Sequence, residues 1–375
     1  MQSVGILAIY TSVRVQTKTI TVPSPSQATY DHLLGKYPDT AIQCPCAKIS
    51  VDYSSFISIE PQYHPICTSS SVTQLIDYFD VDVRLYVPFG AWQLEAGNND
   101  YRTVAAAQFQ LIASLCQLSQ QTVTDALITF YSTRFIGSQL FTPPLFQSQT
   151  TAIISLFNTT TPNQFNEIFQ LIRDTTQANQ LVFFTEPFEV TTVNGPIFYW
   201  WNSGIEHEGC RCNSNVSCSQ QTQLLDIQGN SVTVLYTVPR SFVGCSVVDA
   251  LLLSAFECYF DRTCLNTITS SVKNRTALNI TALDSSHLFL SSINTSVETI
   301  VDRLFVERLV NASNYSAYFQ QCAPTECVYS FNQHPNWIDI LTTVIGLYGG
   351  LTAVLKVLIP TLIKLVRRKK QDNPS

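Results

Sequence analysis

Residues 340–355 read ILTTVIGLYGGLTAVL, a stretch without one charged side chain. Beyond it the apolar run continues past Lys356 and Lys364 to Val366. At 1.5 Å per residue that is enough to cross a hydrocarbon core of about 30 Å with some tilt. Trp337 stands at one edge, where an indole favours the interface. Arg367, Arg368, Lys369 and Lys370 stand at the other, and a basic flank belongs on the cytoplasmic side. The spacing therefore predicts a transmembrane helix over 337–366 and a basic cytoplasmic tail over 367–375. A buried core helix rarely runs this long or ends in RRKK.

Inside the span, Gly346 and Gly350 form a GxxxG pair that lets two helices approach closely, so a homo-oligomer through this helix is expected. Pro360 is placed to kink its last turns. Lys356 lies roughly 16 Å along the axis from Arg367. A lysine at that depth either snorkels to the cytoplasmic side or faces a partner or water.

Working outward, the remainder of the chain is acidic. The whole carries 21 Lys+Arg against 27 Asp+Glu, and residues 340–375 take six of the bases but only Asp372 of the acids. A net charge of -6 speaks against nucleic acid as a partner, since that requires a basic face. Only 13% of residues are charged, half the share usual in a soluble domain, while 45% are apolar. The chain can build a core, and its surface needs uncharged polar groups, glycans or a bilayer to stay dispersed.

The 12 cysteines and the glycosylation sequons lie entirely before the span. The cysteines are Cys44, Cys46, Cys67, Cys116, Cys210, Cys212, Cys218, Cys245, Cys258, Cys264, Cys322 and Cys327. The N-x-S/T sites are Asn158, Asn215, Asn274, Asn279, Asn294, Asn311 and Asn314. Together with the basic flank they place residues 14–336 outside the cytosol, as a cysteine-rich glycosylated domain at the plasma membrane. Zinc sites repeat C-x2–4-C knuckles, and neither Cys44-Pro45-Cys46 nor Cys210-Arg211-Cys212 fits that spacing. Neighbours that close rarely bond each other, so each is expected to reach a different, distant partner. Pairing cannot be read from spacing.

The segment Val4–Tyr10 is apolar but has no basic flank or cleavage site, and is too short to span. Residues 1–13 read as the tail of a first transmembrane helix, or else Met1 is not the natural start. Between the ends the pattern mixes classes. Val13–Ser26 reads as a polar stalk with strand-like alternation, and Ile49–Ile59 as a short strand-like run. Val104–Phe135 reads as a helix ended by Pro143-Pro144, with further helices at Thr151–Phe157 and Phe165–Asp174, the second starting near Pro162. Strands are expected between Leu181 and Pro239, then helices at Val247–Tyr259 and Val297–Val310. No repeat and no internal linker is visible. The fold class is an α+β, disulfide-rich ectodomain with a C-terminal transmembrane α-helix.

Catalytic motifs are missing: no Walker loop, GxGxxG, G-x-S-x-G or HExxH occurs. The histidines are His32, His64, His207, His287 and His334. His64, beside Cys67, reads as a hydrogen-bonded structural residue. Glu206-His207-Glu208 reads as a charged loop, with pH sensing or hydrolysis as the sharper alternatives. Phe198–Trp201 reads as a buried strand rather than a ligand platform. No enzyme activity and no cofactor or metal is expected.

Several stretches together resemble an uncharacterised family of animal membrane proteins. These are Cys44-Pro45-Cys46 with Ile49-Ser50 and Tyr53; Tyr63-His64 with Cys67; and Gly244-Cys245 with Ala250-Leu251-Leu252, Ser254, Glu257-Cys258 and Cys264. Further on come Ile300-Val301, Leu304, Val306-Glu307 and Tyr315–Tyr318, leading to Cys322, Pro324, Cys327 and Tyr329. Last are Ile345-Gly346-Leu347, Gly349-Gly350-Leu351, Leu355-Lys356 and Pro360. The resemblance implies a disulfide-bonded ectodomain between two membrane spans and carries no biochemical activity. The layout is also similar to the degenerin/epithelial sodium channel superfamily, although 340–366 has no G-x-S filter motif and no FPAVTIC-like segment is present. The expected function is a membrane-anchored glycoprotein with an interaction or receptor-like ectodomain and an unidentified extracellular ligand. A channel subunit is the alternative.

Overall fold

The computed structural model describes residues 16–38, 40–80, 99–178, 189–191, 198–200, 219–228, 231–244, 246–273, 275, 278, 280–333 and 337–371. Helices and strands are mixed, and the chain forms two compact units, each gathered from separate stretches. One comprises residues 1–51, 135–142 and 315–375, the other 52–134 and 143–314. The body read as one stretch over 14–336 is distributed over both.

The first unit is built on a three-stranded antiparallel sheet. Glu326–Gln333 is central, with Gln16–Pro23 on one side and Ile42–Gln43 on the other. The stretch read as a stalk is therefore a paired strand. Its alternating threonines meet partners across the ladder, Thr17 with Asn332 at 3.2 Å and Thr19 with Ser330 at 2.7 Å. Ser26 caps the helix Gln27–Lys36 by accepting from the Thr29 N–H, and the helix buries Tyr30 and Leu33. The helix Tyr315–Cys322 buries Tyr318 and Phe319 and stops at Ala323, which takes the left-handed conformation (φ 45°).

The core of the second unit gathers on the helix Tyr101–Ser132. Ala105, Phe109, Ile112, Leu115, Cys116 and Val123 recur at helical spacing and are all buried. Asp100 caps this helix, accepting from the Arg102 N–H at 2.9 Å. The Arg102 guanidinium turns back on the same carboxylate at 2.6 Å. It also donates to the carbonyls of Leu225 (2.5 Å) and Ser271 (3.2 Å). One buried cation thus joins the long helix, the hairpin Ser219–Gln228/Ser231–Gly244 and the end of the helix Arg262–Ser270. A second strand pair, Ile57–Tyr63 with Val306–Ser313, completes the frame.

Three readings of the sequence are corrected here. Pro143 and Pro144 begin a helix rather than end one, since the first turn lacks N–H partners in any case. That helix runs unbroken to Ala178 through Pro162, joining the two expected segments. An interior proline costs about 3 kcal/mol, and the packing of Phe157, Thr161 and Phe165 on both sides of it holds the helix together. Val297–Val310 is not one helix. It stops at Val301, and Leu304 and Phe305 take left-handed conformations (φ 56° and 54°) before the strand Val306–Ser313. Burial of both side chains outweighs a strain of about 1–2 kcal/mol per residue. Val247–Tyr259 divides at Ser254, whose hydroxyl accepts from the Phe242 N–H while its carbonyl accepts from Val297.

The Asp100–Arg102 pair is almost fully buried, so removing one partner strands a charge. Arg102→Met is expected to lower the unfolding free energy by about 3–5 kcal/mol, measured by urea denaturation with disulfides intact.

Candidate functional site: the cysteine clamp and the apolar helix

The C-P-C motif sits where the short strand Ile42–Gln43 ends. Cys44 bonds Cys327 and Cys46 bonds Cys322. Each cysteine of the motif thus has its own partner, as expected, and both partners lie in the single segment Cys322–Cys327. Backbone bonds fill the space between: Thr325 N–H to Pro45 O at 3.2 Å, Ala47 N–H to Ala323 O and Lys48 N–H to Cys322 O, both 3.3 Å. From there the central strand runs to Gln333, opposite Gln16. Gln16 and Gln333 therefore stand opposite each other at one end of the sheet.

Downstream of Gln333 in the chain is the helix Trp337–Gln371. Its segment Leu341–Leu365 is 25 residues long and apolar enough to cross a bilayer, and none of it is buried by the chain. At 100° per residue, Thr342, Gly346, Gly349, Ala353, Lys356, Pro360 and Lys364 fall within about 40° of one line along the helix. Gly350 lies at the edge of that stripe. Leu347, Leu351, Leu358, Leu362 and Leu365 occupy the opposite face. Lys356 thus shares its face with the smallest residues of the helix. Among the described residues, no atom outside the helix comes within 4 Å of a side chain built at Gly346, Gly349 or Gly350.

Two more bridges, Cys67–Cys116 and Cys258–Cys264, lie in the second unit. Cys210, Cys212, Cys218 and Cys245 lie outside the described residues, as do Asn215, Asn274, Asn279 and the Glu206–Glu208 cluster. Phe198–Trp200 forms a strand, and its side chains and Trp201 are likewise outside the description. Asn158, Asn294, Asn311 and Asn314 are all exposed.

The second unit also has an open groove of about 720 Å³ between Tyr101–Ser132 and Pro143–Ala178. Leu118, Ala126 and Phe130 line it from the first helix, and Leu156, Phe157, Phe165, Ile168 and Ile172 from the second. Four of its five threonines, Thr122, Thr129, Thr133 and Thr160, donate their hydroxyls to backbone carbonyls four residues earlier, so these hydroxyl protons are not offered to a ligand.

No cluster of three or more His, Cys, Asp or Glu able to hold a metal occurs among the described residues. Asp284, Ser286 and His287 come together at an exposed turn, where the Ser286 hydroxyl donates to the carboxylate at 2.7 Å and lies 3.3 Å from His287 Nδ1. Those bonds from Ser286 lower the Asp284 pKa. Burial pushes the Glu307 pKa up. Bonds from the Ser291 hydroxyl and the N–H groups of Leu290, Ser291 and Phe289 outweigh it, and the net shift is downward. Sequence patterns did not single out the buried Asp100 and Arg102, because an aspartate before a helix resembles an ordinary cap; Glu307 stood only among the residues of the family resemblance.

Neither family models, nor curated proteins, nor solved structures offer a match to this chain.

The two clamp bridges close nearly the same loop, with separations of 283 and 276 residues. In the chain-entropy account, losing one leaves the other to close it and removes only a small ring, about 2 kcal/mol. Losing both removes the long-loop term, about 5–6 kcal/mol. Cys46→Ser with Cys322→Ser is therefore expected to be mild, and the quadruple variant severe by more than twice that loss in denaturant titrations.

Proposed function

We propose that this chain is a cell-surface glycoprotein anchored in the plasma membrane, with an extracellular interaction or receptor-like body and a cytoplasmic C-terminus. The observation that carries the reading is the exposed apolar segment Leu341–Leu365, 25 residues long, which follows the clamped sheet in the chain. A helix with that surface is covered by lipid or by other membrane helices. Four bridges need an oxidising space, and four exposed sequons need a route through the secretory pathway. Arg367–Lys370 set the orientation. The apolar groove is the surface that best supports an interaction role, since open apolar patches of this kind mark binding sites.

N-glycosidase treatment of the full chain expressed in animal cells is expected to give a large mobility shift. Asn311→Gln with Asn314→Gln is expected to reduce it. No shift would overturn the extracellular placement.

A channel subunit is the second reading, favoured by one observation, the position of Lys356 on the small-residue stripe. Two such stripes can approach closely, with the lysine turned to the contact or to water between helices rather than to lipid. Gly349→Leu is expected to dissociate the oligomer in detergent cross-linking, because a branched side chain holds the backbones apart. In membrane patches, Lys356→Ala changes conductance or ion selectivity if the helices line a pore. Absence of any current with intact oligomers leaves the anchored-receptor reading.

A further inference from the structure

His64 is 1% exposed and ties three elements together. Its backbone N–H donates to the Phe305 carbonyl at 2.7 Å, joining the end of strand Ile57–Tyr63 to the left-handed turn before Val306. Its Nδ1 accepts from the Ile66 N–H at 3.2 Å and caps the turn Pro65–Thr68. That turn carries Cys67, bridged to Cys116 in the core helix. The ring packs between Phe256 (5.4 Å between centroids) and the edge of Phe260 (5.9 Å). Nε2 is buried and meets no hydrogen-bond partner among the described residues.

This geometry admits only the neutral ring. Because Nδ1 accepts, the proton sits on Nε2. A second proton must go on Nδ1, where it would point at the Ile66 N–H, donor against donor. The cation formed would sit between two phenylalanines, almost wholly shut off from solvent. The elements around the ring carry Glu307, Arg308, Tyr63, Glu257 and Tyr259. Of these, Glu307 is the charge that acts on His64, favouring the cation through its field, but its oxygens are occupied by Ser291 and the 289–291 backbone. Arg308 is turned over the Phe289 ring, and the Tyr259 hydroxyl is bound to Tyr101.

We propose that His64 is an acid-operated latch: protonation removes the cap on Pro65–Thr68 and frees that turn from the Ile57–Tyr63 strand end. The latch is closed at neutral pH and weakens as a secretory or endocytic compartment acidifies below pH 6.5. Burial, opposed more weakly by Glu307, lowers the ring's pKa from 6.5 to about 4. The folded state therefore binds fewer protons than the unfolded one in this interval. The stability it contributes is complete above pH 6.5 and is lost progressively as pH falls towards about 4. Over that window the unfolding constant rises by up to about 300-fold, roughly tenfold per pH unit.

The test uses the full chain in detergent micelles, with urea unfolding followed from pH 7.5 to 4.5. His64→Asn keeps an acceptor oxygen near the Nδ1 position and cannot titrate there. The wild type is expected to show the tenfold-per-unit slope below pH 6.5, and the variant to flatten it. An equal slope in both overturns the latch. Where the variant does not fold, hydrogen exchange of the wild type decides, corrected for the intrinsic pH dependence. Protection of the Ile66 and Cys67 amides is expected to fall below pH 6 before that of the Ser219–Gln228 strand. Protection at Ile66 that persists to pH 4.5, or is lost only together with that strand, overturns the proposal.

Discussion

The paired bridges Cys44–Cys327 and Cys46–Cys322 are the constraint on which the first unit depends. The sheet they close has a two-residue strand on one side and a strand from the chain's beginning on the other. A sheet that small, assembled from segments nearly three hundred residues apart, pays the loop-closure entropy of a long chain. Two covalent ties lower that cost in the unfolded state. The same ties set the register from which the last strand runs to Gln333 and the helix at Trp337. Aromatic contacts support them: Tyr37 lies 5.0 Å from Tyr329 and 5.1 Å from Phe331 on the sheet, and Tyr30 packs near Phe319.

The second unit solves a different problem. Its core is large, and apart from the long helices Tyr101–Ser132 and Pro143–Ala178 its described segments are short and turn often. Buried polar groups do the joining. Arg102 satisfies two carbonyls and a carboxylate at once, and Glu307 gathers three consecutive N–H groups. Arg173 links the long helix Pro143–Ala178 to Asp249 at 2.5 Å and to Glu298 at 3.4 Å. Fully bonded groups of this kind hold a specific arrangement, since each half-made alternative leaves a charge or donor without a partner. His64 belongs to this set and differs in that its ring stays one proton short of what water at low pH would give it.

Where local pattern and tertiary packing agree, the sequence was legible. The periodicity of Ala105 to Val123 marks the core helix, and the alternation of Thr17, Thr19 and Thr21 marks a strand. Where a local rule and packing compete, packing won. Pro162 reads as a helix start, but buried neighbours on both sides carry the helix through it. Leu304 and Phe305 read as helix continuations, but their burial pays for two left-handed residues. The GxxxG pair and Lys356 were both visible as spacing, since 100° per residue alone relates their faces, and the structure adds that Trp337–Gln371 is one helix.

The sequence by itself determined the long apolar segment, the acidic body before it and the requirement that each cysteine of the C-P-C motif find a separate partner. These follow from counting and from short-range geometry: bilayer thickness, charge placement and the strain of a bond between near neighbours. Only the tertiary structure decided that both partners lie in Cys322–Cys327, that the first described strand pairs with the last, and that His64 is a buried imidazole that caps the next turn. Those facts depend on contacts between residues hundreds of positions apart. The free energy that selects such contacts is shared over a whole core and leaves no mark in any single stretch of chain.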